Sequence, residues 1–229
     1  MKICWLLVAR GGSRGVPGKH LRRIGGRTLV EWKLGRALAA GATDIVVSSD
    51  SPEIRGVAMH YGASREIIRP AELASDEATT ASVVRHALET LEESYDAVML
   101  LECSSPFTRP EQYTAALAMM NEHDADLVVG MKETFPHIAF VGERRDDSSI
   151  NGIVLQFQRM ARRRQDFKEC WTMAGNIYLF RTEPFLATND VYGGARLFGL
   201  KCDRWSAHEI DSPEDLKLAE FAYERGYVK

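Results

Sequence analysis

The chemistry of this chain begins with a basic, glycine-rich stretch close to residue 1. Residues 1–30 contain no acidic residue, although the formal net charge of the chain is −3, and their basic residues are Lys2, Arg10, Arg14, Lys19, Arg22, Arg23 and Arg27. Glycine occupies positions 11, 12, 15 and 18. Glycine lets backbone N–H groups approach phosphate oxygens closely, and Lys19 and Arg10 can supply charge. The stretch predicts a phosphate-bearing ligand; the alternative is a solvated basic loop in which glycine only allows a turn.

The spacing of the glycines excludes two better-known phosphate loops. A Walker A loop would need glycine at Ser13 and serine or threonine at His20. The dinucleotide-binding fingerprint Gly-x-Gly-x-x-Gly has no match in this stretch. The loop therefore belongs to neither of these types.

A pair of carboxylates near residue 210 could hold a metal ion. Glu209 and Asp211 are two residues apart, and on a strand both side chains would point to one face. Two carboxylates beside triphosphate oxygens suit Mg²⁺, which typically takes one or two carboxylates together with phosphates and water. The alternative is an ordinary surface pair of acids.

Length and composition indicate an ordinary soluble globular protein with one α/β domain. The 229 residues suit one domain, with 45% hydrophobic and 27% charged residues. A pI near 6.1 does not suggest a nucleic-acid binder. The four cysteines are widely scattered and predict buried thiols, with neither a zinc site nor disulfides. No apolar run is long enough for a bilayer and no signal peptide is evident, so we expect a cytoplasmic protein that does not contact membranes.

The elements that must position these residues alternate between strands and helices. Apolar runs predict strands at 3–9, 45–50, 67–68, 96–101, 127–130 and 175–180. Helices are predicted after a Thr28–Glu31 capping box, after Ser51, at 79–94, from Pro110 and after Ser212. This alternation is typical of a doubly wound, mostly parallel α/β sheet of three layers. The loop at 10–20 follows the first strand, and open α/β sheets bind ligands at that carboxyl edge.

Two segments closely resemble signatures of the CMP-sialic acid synthetases (acylneuraminate cytidylyltransferases), relatives of the nucleotide-diphospho-sugar transferases. They are Ala9-Arg10-Gly11-Gly12-Ser13-Arg14-Gly15-Val16-Pro17-Gly18-Lys19 and Arg69-Pro70-Ala71-Glu72-Leu73-Ala74-Ser75-Asp76. The resemblance covers nearly the whole chain and implies a Rossmann-like fold. It also implies a cytidylyltransferase that activates a nonulosonic, sialic-acid-like 2-keto sugar acid with CTP, giving a CMP-sugar and pyrophosphate.

The resemblance also implies roles for individual residues. The nucleotide-binding residues would be Ala9, Arg10, Gly11, Gly12, Ser13, Lys19, His20, Arg69 and Ser82. Lys19 and Arg10 would act catalytically on the triphosphate, together with Asp211. Asp211 and Glu209 would bind Mg²⁺ as the cofactor, with Glu209 in place of the family's first aspartate. His20 occupies the position where the family usually has asparagine.

The residues expected at the acceptor sugar depart most from the family. They would be Glu102, Arg164, Gln165 and Asn176. The family has glutamine where Glu102 stands, and this change removes a donor and adds negative charge. The family's asparagine falls on Ala174, with Asn176 two residues later. The acceptor is therefore expected to differ from N-acetylneuraminate, or to present an amine.

Residues 132–172 interrupt the alternation of strands and helices. They contain the polar run at 144–149 and the cluster Arg162-Arg163-Arg164-Gln165-Asp166, which by charge pattern alone indicate a solvated loop. The resemblance implies instead a protruding arm that forms a homodimer and brings Arg164 and Gln165 to the partner's acceptor site. Two other interpretations of the chain stay open. One is an enzyme of the same fold with another nucleoside triphosphate or a sugar phosphate, and the other is a non-catalytic nucleotide-binding homologue.

Overall fold

The computed structural model describes residues 1–134, 137–143, 146, 149–160, 163, 165 and 167–228. The strands are β1 (Ile3–Val8), β2 (Arg23–Ile24), β3 (Arg27–Thr28), β4 (Ile45–Ser49), β5 (Arg65–Ile68), β6 (Ala97–Glu102), β7 (Leu127–Glu133), β8 (Trp171–Arg181) and β9 (Leu197–Lys201). The helices are α1 (Leu29–Ala39), α2 (Pro52–Tyr61), α3 (Thr80–Leu91), α4 (Pro110–Glu122), α5 (Asn151–Met160), α6 (Thr182–Thr188) and α7 (Pro213–Glu224).

Most strands belong to one seven-stranded sheet with the order β5-β4-β1-β6-β8-β7-β9. Strands β5, β4, β1 and β6 are parallel neighbours. Strand β8 runs antiparallel to β6 and β7, and β9 pairs parallel with β7. The predicted α/β, Rossmann-like, mostly parallel sheet is confirmed. The loops after β1, β4 and β6 consequently leave the sheet at the same edge.

The core lies on both faces of this sheet. Side chains of a strand point alternately to opposite faces. On β1, Trp5 and Leu7 therefore pack in a cluster with Leu34 of α1, whereas Cys4 and Leu6 pack in a second cluster that contains α3 and α6 residues. Helices cover the two faces, so the expected three layers are confirmed.

Local signals set where several helices begin. The Thr28 Oγ1 accepts from the Glu31 N–H at 3.1 Å, and the Glu31 carboxylate accepts from the Thr28 N–H at 2.6 Å. Ser51 caps α2 through its side chain, and Ser212 forms a capping box with Asp215 at α7. These are the caps that the sequence predicts, and each lies near the carboxyl edge.

Two features of the sheet differ from the expectation. The strand expected for Glu209 and Asp211 is wrong, because this segment is irregular and its Ile210 N–H donates to the Ser104 carbonyl at 2.8 Å, in the turn after β6. Strand β9 was not expected. It lies at the edge of the sheet, where alternate side chains face solvent and a central glycine interrupts the apolar pattern.

Between β7 and β8, the expected arm contains a short 3-10 helix (Ile138–Phe140) and α5. Phe140, Phe157 and Phe167 form an aromatic cluster there, with ring centroids 5.3 to 6.0 Å apart. The arm thus has a small packing centre of its own. Among the described helices, none combines the length and hydropathy that a bilayer-spanning segment needs.

Candidate active site

A cavity of about 270 Å³ opens at the carboxyl edge, above β1 and β6. It is the cleft predicted from the position of the glycine-rich loop. Five of the predicted site residues line it: Ala9, Arg10, His20, Arg69 and Glu102. Arg69, from the loop after β5, forms part of the same wall, so residues from three strand ends meet at one cleft.

Lys19 and Asp211 lie in contact beside this cleft. The Lys19 Nζ donates to the Asp211 Oδ1 at 3.0 Å. Gly15 explains how the loop comes so close, because a Cβ at this position would lie 1.9 Å from the Asp211 carbonyl oxygen. Only glycine permits that approach. The basic loop and the acidic segment, distant in the sequence, therefore form one wall.

Arg10 and Arg14 share one carboxylate, that of Asp76. The Arg10 Nη1 lies 2.7 Å from the Asp76 Oδ1, and Arg14 pairs with the Asp76 Oδ2. The hydrogen bond from Arg10 holds the pKa of Asp76 below its usual range, and the charge of Arg14 adds to this effect. Asp76 thus gathers two loop cations at the cleft, a contact that the sequence did not indicate.

His20 is a buried neutral imidazole. Its Nδ1 lies 2.9 Å from the Arg10 carbonyl oxygen, which can only accept, so Nδ1 carries the proton and Nε2 is an acceptor. Burial lowers the pKa of His20 to about 4, with smaller contributions from the charges of Lys19, Arg69 and Arg10. His20 therefore offers the cleft an acceptor and no charge near pH 7.

Arg69 is held below the loop by the end of β4. Its Nη2 donates to the Ser48 carbonyl at 2.6 Å and its Nε to the Ser48 hydroxyl at 3.2 Å. Burial lowers the pKa of Arg69 to about 10, against the opposing charge of Asp50. Asp50 also accepts from the Gly11 N–H at 2.8 Å. This donor, expected to face phosphate, is therefore bonded within the protein, and Asp50 is a loop anchor that sequence reasoning missed.

Other predicted nucleotide residues lie further from the cavity. Gly12 is exposed and Ser13 half-buried in the loop after β1. The Ser82 hydroxyl donates to the Thr79 carbonyl at 2.7 Å, in the first turn of α3. Thr80 of the same turn lines the cavity.

The carboxylates of Glu102, which lines the cavity, and Glu209 meet near Gly175. A Cβ at Gly175 would lie 2.2 Å from the Glu209 Oε1 and 3.5 Å from the Glu102 Oε2, so both acids face the space that this glycine leaves. The pKa of Glu102 is raised to about 7, chiefly by burial and in smaller part by the charge of Glu209, against the opposing charge of Lys33. Lys132 approaches the Glu209 Oε2 at 3.5 Å.

Asn176 does not reach the cleft, which corrects the expectation that its side chain faces the acceptor. It is fully buried, and its Nδ2 donates to the Cys202 Sγ at 3.2 Å. On β8 the side chain points toward Gly130 of β7, where a Cβ would lie 2.2 Å from the Asn176 Oδ1. Gln165 is exposed on the arm, and Arg164 lies outside the described residues.

Few side chains near the cleft could coordinate a metal ion. In the described ranges, no group of three or more histidines, cysteines, aspartates or glutamates could hold one. Asp211 and Glu209 already have lysine partners, at 3.0 and 3.5 Å. A pair of carboxylates nevertheless suits Mg²⁺ when triphosphate oxygens supply the other ligands. The residues thus fit a metal ion that arrives with a nucleotide, and not a site made by protein alone.

The comparisons with known proteins agree with this geometry. Residues 4–196 match the cytidylyltransferase family. A pseudaminic acid cytidylyltransferase from Campylobacter jejuni is 27% identical over 234 residues, 97% of each chain. A CMP-N,N'-diacetyllegionaminic acid synthase from the same species is 29% identical over 228 residues, 96% of this chain and 94% of the relative.

Among solved structures, the fold is similar to a CMP:2-keto-3-deoxy-manno-octonic acid synthetase complexed with CTP. The TM-score is 0.71 at 18% identity, with 99% of this chain and 100% of that chain covered. The structural likeness shows a shared fold, and the sequence matches confirm the resemblance to CMP-sialic acid synthetases. The chain therefore belongs to the cytidylyltransferase family and is a nucleotidyltransferase.

Proposed function

We propose that this enzyme transfers CMP from CTP to a nonulosonic, sialic-acid-like 2-keto sugar acid and releases pyrophosphate. The observation that carries the proposal is the contact of Lys19 with Asp211 beside a cleft at the carboxyl edge. This contact supports the proposal because a cation that would bind phosphate and a carboxylate that would bind Mg²⁺ are then within reach of one ligand. Relatives named for pseudaminic and legionaminic acids support the choice of acceptor.

The nucleotide occupies the basic side of the cleft in this proposal. Lys19 and Arg10 bind the triphosphate, where phosphate oxygens replace the carboxylates of Asp211 and Asp76. Arg69 lies behind them with two bonds to Ser48, so its position is fixed before the nucleotide arrives. Fixed cations stabilise charge that develops on phosphate oxygens in the transition state.

The reaction is a substitution at the α-phosphorus. The anomeric hydroxyl oxygen of the sugar acid forms the new P–O bond, and the bond from the α-phosphorus to the bridging oxygen breaks. Pyrophosphate leaves with the electron pair, and the hydroxyl proton is released. The protein needs mainly to align the reactants in line and to neutralise charge. Asp211 and Glu209 would hold Mg²⁺, which when bound neutralises triphosphate charge and orients the phosphates.

The acceptor lies on the acidic side of the cleft, beside Glu102. We propose that a homodimer completes this side, because the arm exposes apolar residues that a second copy could cover. They are Ile138, Phe140, Val141, Ile150, Val154, Leu155 and Met160, each at least 40% exposed. Burying such side chains favours association. Four free cysteines suit the reducing conditions of a cytoplasmic location, which is part of the proposal.

The direct test incubates the protein with CTP, Mg²⁺ and single sugar acids: sialic, legionaminic, pseudaminic and eight-carbon acids. We expect pyrophosphate release and a CMP-sugar mass with at least one nonulosonic acid, and neither product when the acceptor or CTP is omitted. Thermal shifts with CTP, GTP, UTP and ATP measure base preference, since a selectively bound ligand raises apparent stability. Turnover only with another nucleotide, or with a sugar phosphate, would replace the proposed substrates. Binding without turnover across the panel would favour a non-catalytic homologue.

A further inference from the structure

A charged side chain lies completely buried beneath the acceptor side of the cleft. Lys33, on α1, has no exposed surface. Its ammonium group donates to the Ser105 carbonyl at 3.0 Å, to the Thr108 Oγ1 at 2.9 Å and to the Asn176 carbonyl at 3.2 Å. All three N–H groups are thus satisfied. Burying an ammonium ion is costly even so, because uncharged acceptors do not neutralise its positive charge.

The three acceptors connect Lys33 to the segments that carry the acceptor-side acids. Ser105 and Thr108 belong to the turn that follows β6, directly after Glu102. The preceding carbonyl in this turn, that of Ser104, accepts from the Ile210 N–H at 2.8 Å. Ile210 lies between the two acids of the irregular segment. Lys33 therefore anchors the turn after β6, and this turn holds Glu102 and residues 209–211 in place.

The charge of Lys33 acts on the same acids. Burial lowers the pKa of Lys33 to about 8. Four neighbouring groups oppose this shift: the Cys103 thiol, Glu102, the Cys202 thiol and Glu209. Conversely, the Lys33 charge opposes the burial that raises the pKa of Glu102. Two carboxylates that face one glycine repel each other, so a cation beneath them reduces the cost of keeping both there.

We propose that Lys33 is a positioning residue for the acceptor: it fixes the turn at 103–108 and offsets the charge of Glu102 and Glu209. This inference rests on the proposed function only in assigning the acceptor to that side of the cleft. The Lys33 charge then compensates that of Glu102 within the protein, so the fold accommodates the acidic side chain that stands in place of the family's glutamine.

The test is a double-mutant cycle of Lys33→Met and Glu102→Gln, with the exposed Lys217→Met on α7 as control. The first readout is thermal unfolding without substrates. We expect Lys33→Met to lower Tm by roughly 10 °C, and by about half as much in the Glu102→Gln background, because the charge it balances is then smaller. Lys217→Met should change Tm by less than about 2 °C.

The second readout separates the substrates. We expect Lys33→Met to raise KM for the acceptor roughly tenfold and KM for CTP by less than about twofold. If Lys33→Met does not fold, Lys33→Gln keeps amide donors without the charge and should show the same dependence on Glu102.

Equal effects of the Lys33 substitution in both backgrounds, or equal rises in the two KM values, would overturn the proposal. The unfolding cycle needs no turnover. An inactive wild-type protein that shows the expected coupling would therefore contradict the proposed function and leave the pairing of Lys33 with Glu102 supported.

Discussion

The Lys19 ammonium lies 3.0 Å from the Asp211 carboxylate, although the two residues are 192 positions apart in the chain. The two partners differ in exposure, at 13% for the Lys19 side chain and 70% for that of Asp211. An ion pair with one exposed partner contributes little to stability. The contact matters for where it puts the two groups: a phosphate can replace the carboxylate at Lys19, and a metal ion can replace the ammonium at Asp211.

Removal of either partner should impair catalysis far more than folding. We expect Lys19→Ala and Asp211→Ala each to lower kcat/KM a hundredfold or more, on the order of 3 kcal/mol of transition-state stabilisation. Each should change Tm by only a few degrees, because the pair contributes little stability. Pyrophosphate release and thermal unfolding measure both effects, with Lys217→Ala as the control. Near-wild-type turnover in either variant would refute its role.

Gly15 should be required for the contact between the loop and the acidic segment. A Cβ at Gly15 would lie 1.9 Å from the Asp211 carbonyl oxygen, so Gly15→Ala must displace one of the two backbones. We expect a loss of kcat/KM of tenfold or more and a lower Tm. The matched control is Gly56→Ala on α2, where a Cβ meets nothing within 4 Å. Gly56→Ala should raise the free energy of unfolding by about 0.5–1 kcal/mol, because alanine favours the helix more than glycine does. A Gly15→Ala variant as active and stable as wild type would contradict this account.

The parts of the fold that the sequence predicts correctly are those with local signals. Buried strands show as apolar runs, and helix starts show as capping residues such as Thr28 and Ser212. The antiparallel direction of β8 and the pairing of β9 depend on contacts across the sheet, which no local pattern encodes. The irregular segment with Glu209 and Asp211 looks like a strand only because its two acids are two positions apart.

The candidate site likewise contains residues with a local sequence signal and residues whose role depends on distant contacts. The basic loop is recognisable because glycine and basic residues are concentrated there. Asp50 and Lys33 are single charged residues whose importance comes from partners distant in the sequence, the Gly11 N–H and the turn after β6. The sequence misplaces Asn176 because a strand side chain can point to either face of the sheet, and in the structure this one points toward Cys202. The partners of Asp50 and Lys33, and the direction of the Asn176 side chain, are known only once the sheet is assembled.

Asp50 should support nucleotide binding through the loop. Its carboxylate accepts from the Gly11 N–H at 2.8 Å and opposes the burial that lowers the pKa of Arg69. We expect Asp50→Ala to raise KM for CTP roughly tenfold, since the loop loses an anchor and the buried Arg69 loses a compensating charge. Asp50→Asn keeps an oxygen acceptor for Gly11 and should have a smaller effect. If the two variants raise KM for CTP equally, the hydrogen bond to Gly11 is not what positions the loop.

His20 should make the folded protein sensitive to acid. Its pKa is about 4 in the folded protein, mainly because it is buried, against an ordinary value of 6.5. Below pH 6.5 the unfolded chain binds a proton at this position that the folded protein does not. The contribution of His20 to the free energy of unfolding is therefore fully present above pH 6.5, and it is lost as the pH falls toward 4, by on the order of 3 kcal/mol.

Urea unfolding of wild type and His20→Asn at pH 7.5, 5.5 and 4.5 measures this contribution. Carboxylates also change protonation in this range, so the informative quantity is the difference between the two proteins. Wild type should lose more stability than His20→Asn as the pH falls, whereas the exposed His60→Asn on α2 should follow wild type. Parallel pH dependence of wild type and His20→Asn would mean that His20 binds its proton equally well in the folded and the unfolded protein. The lowered pKa that we assign to His20 would then be wrong.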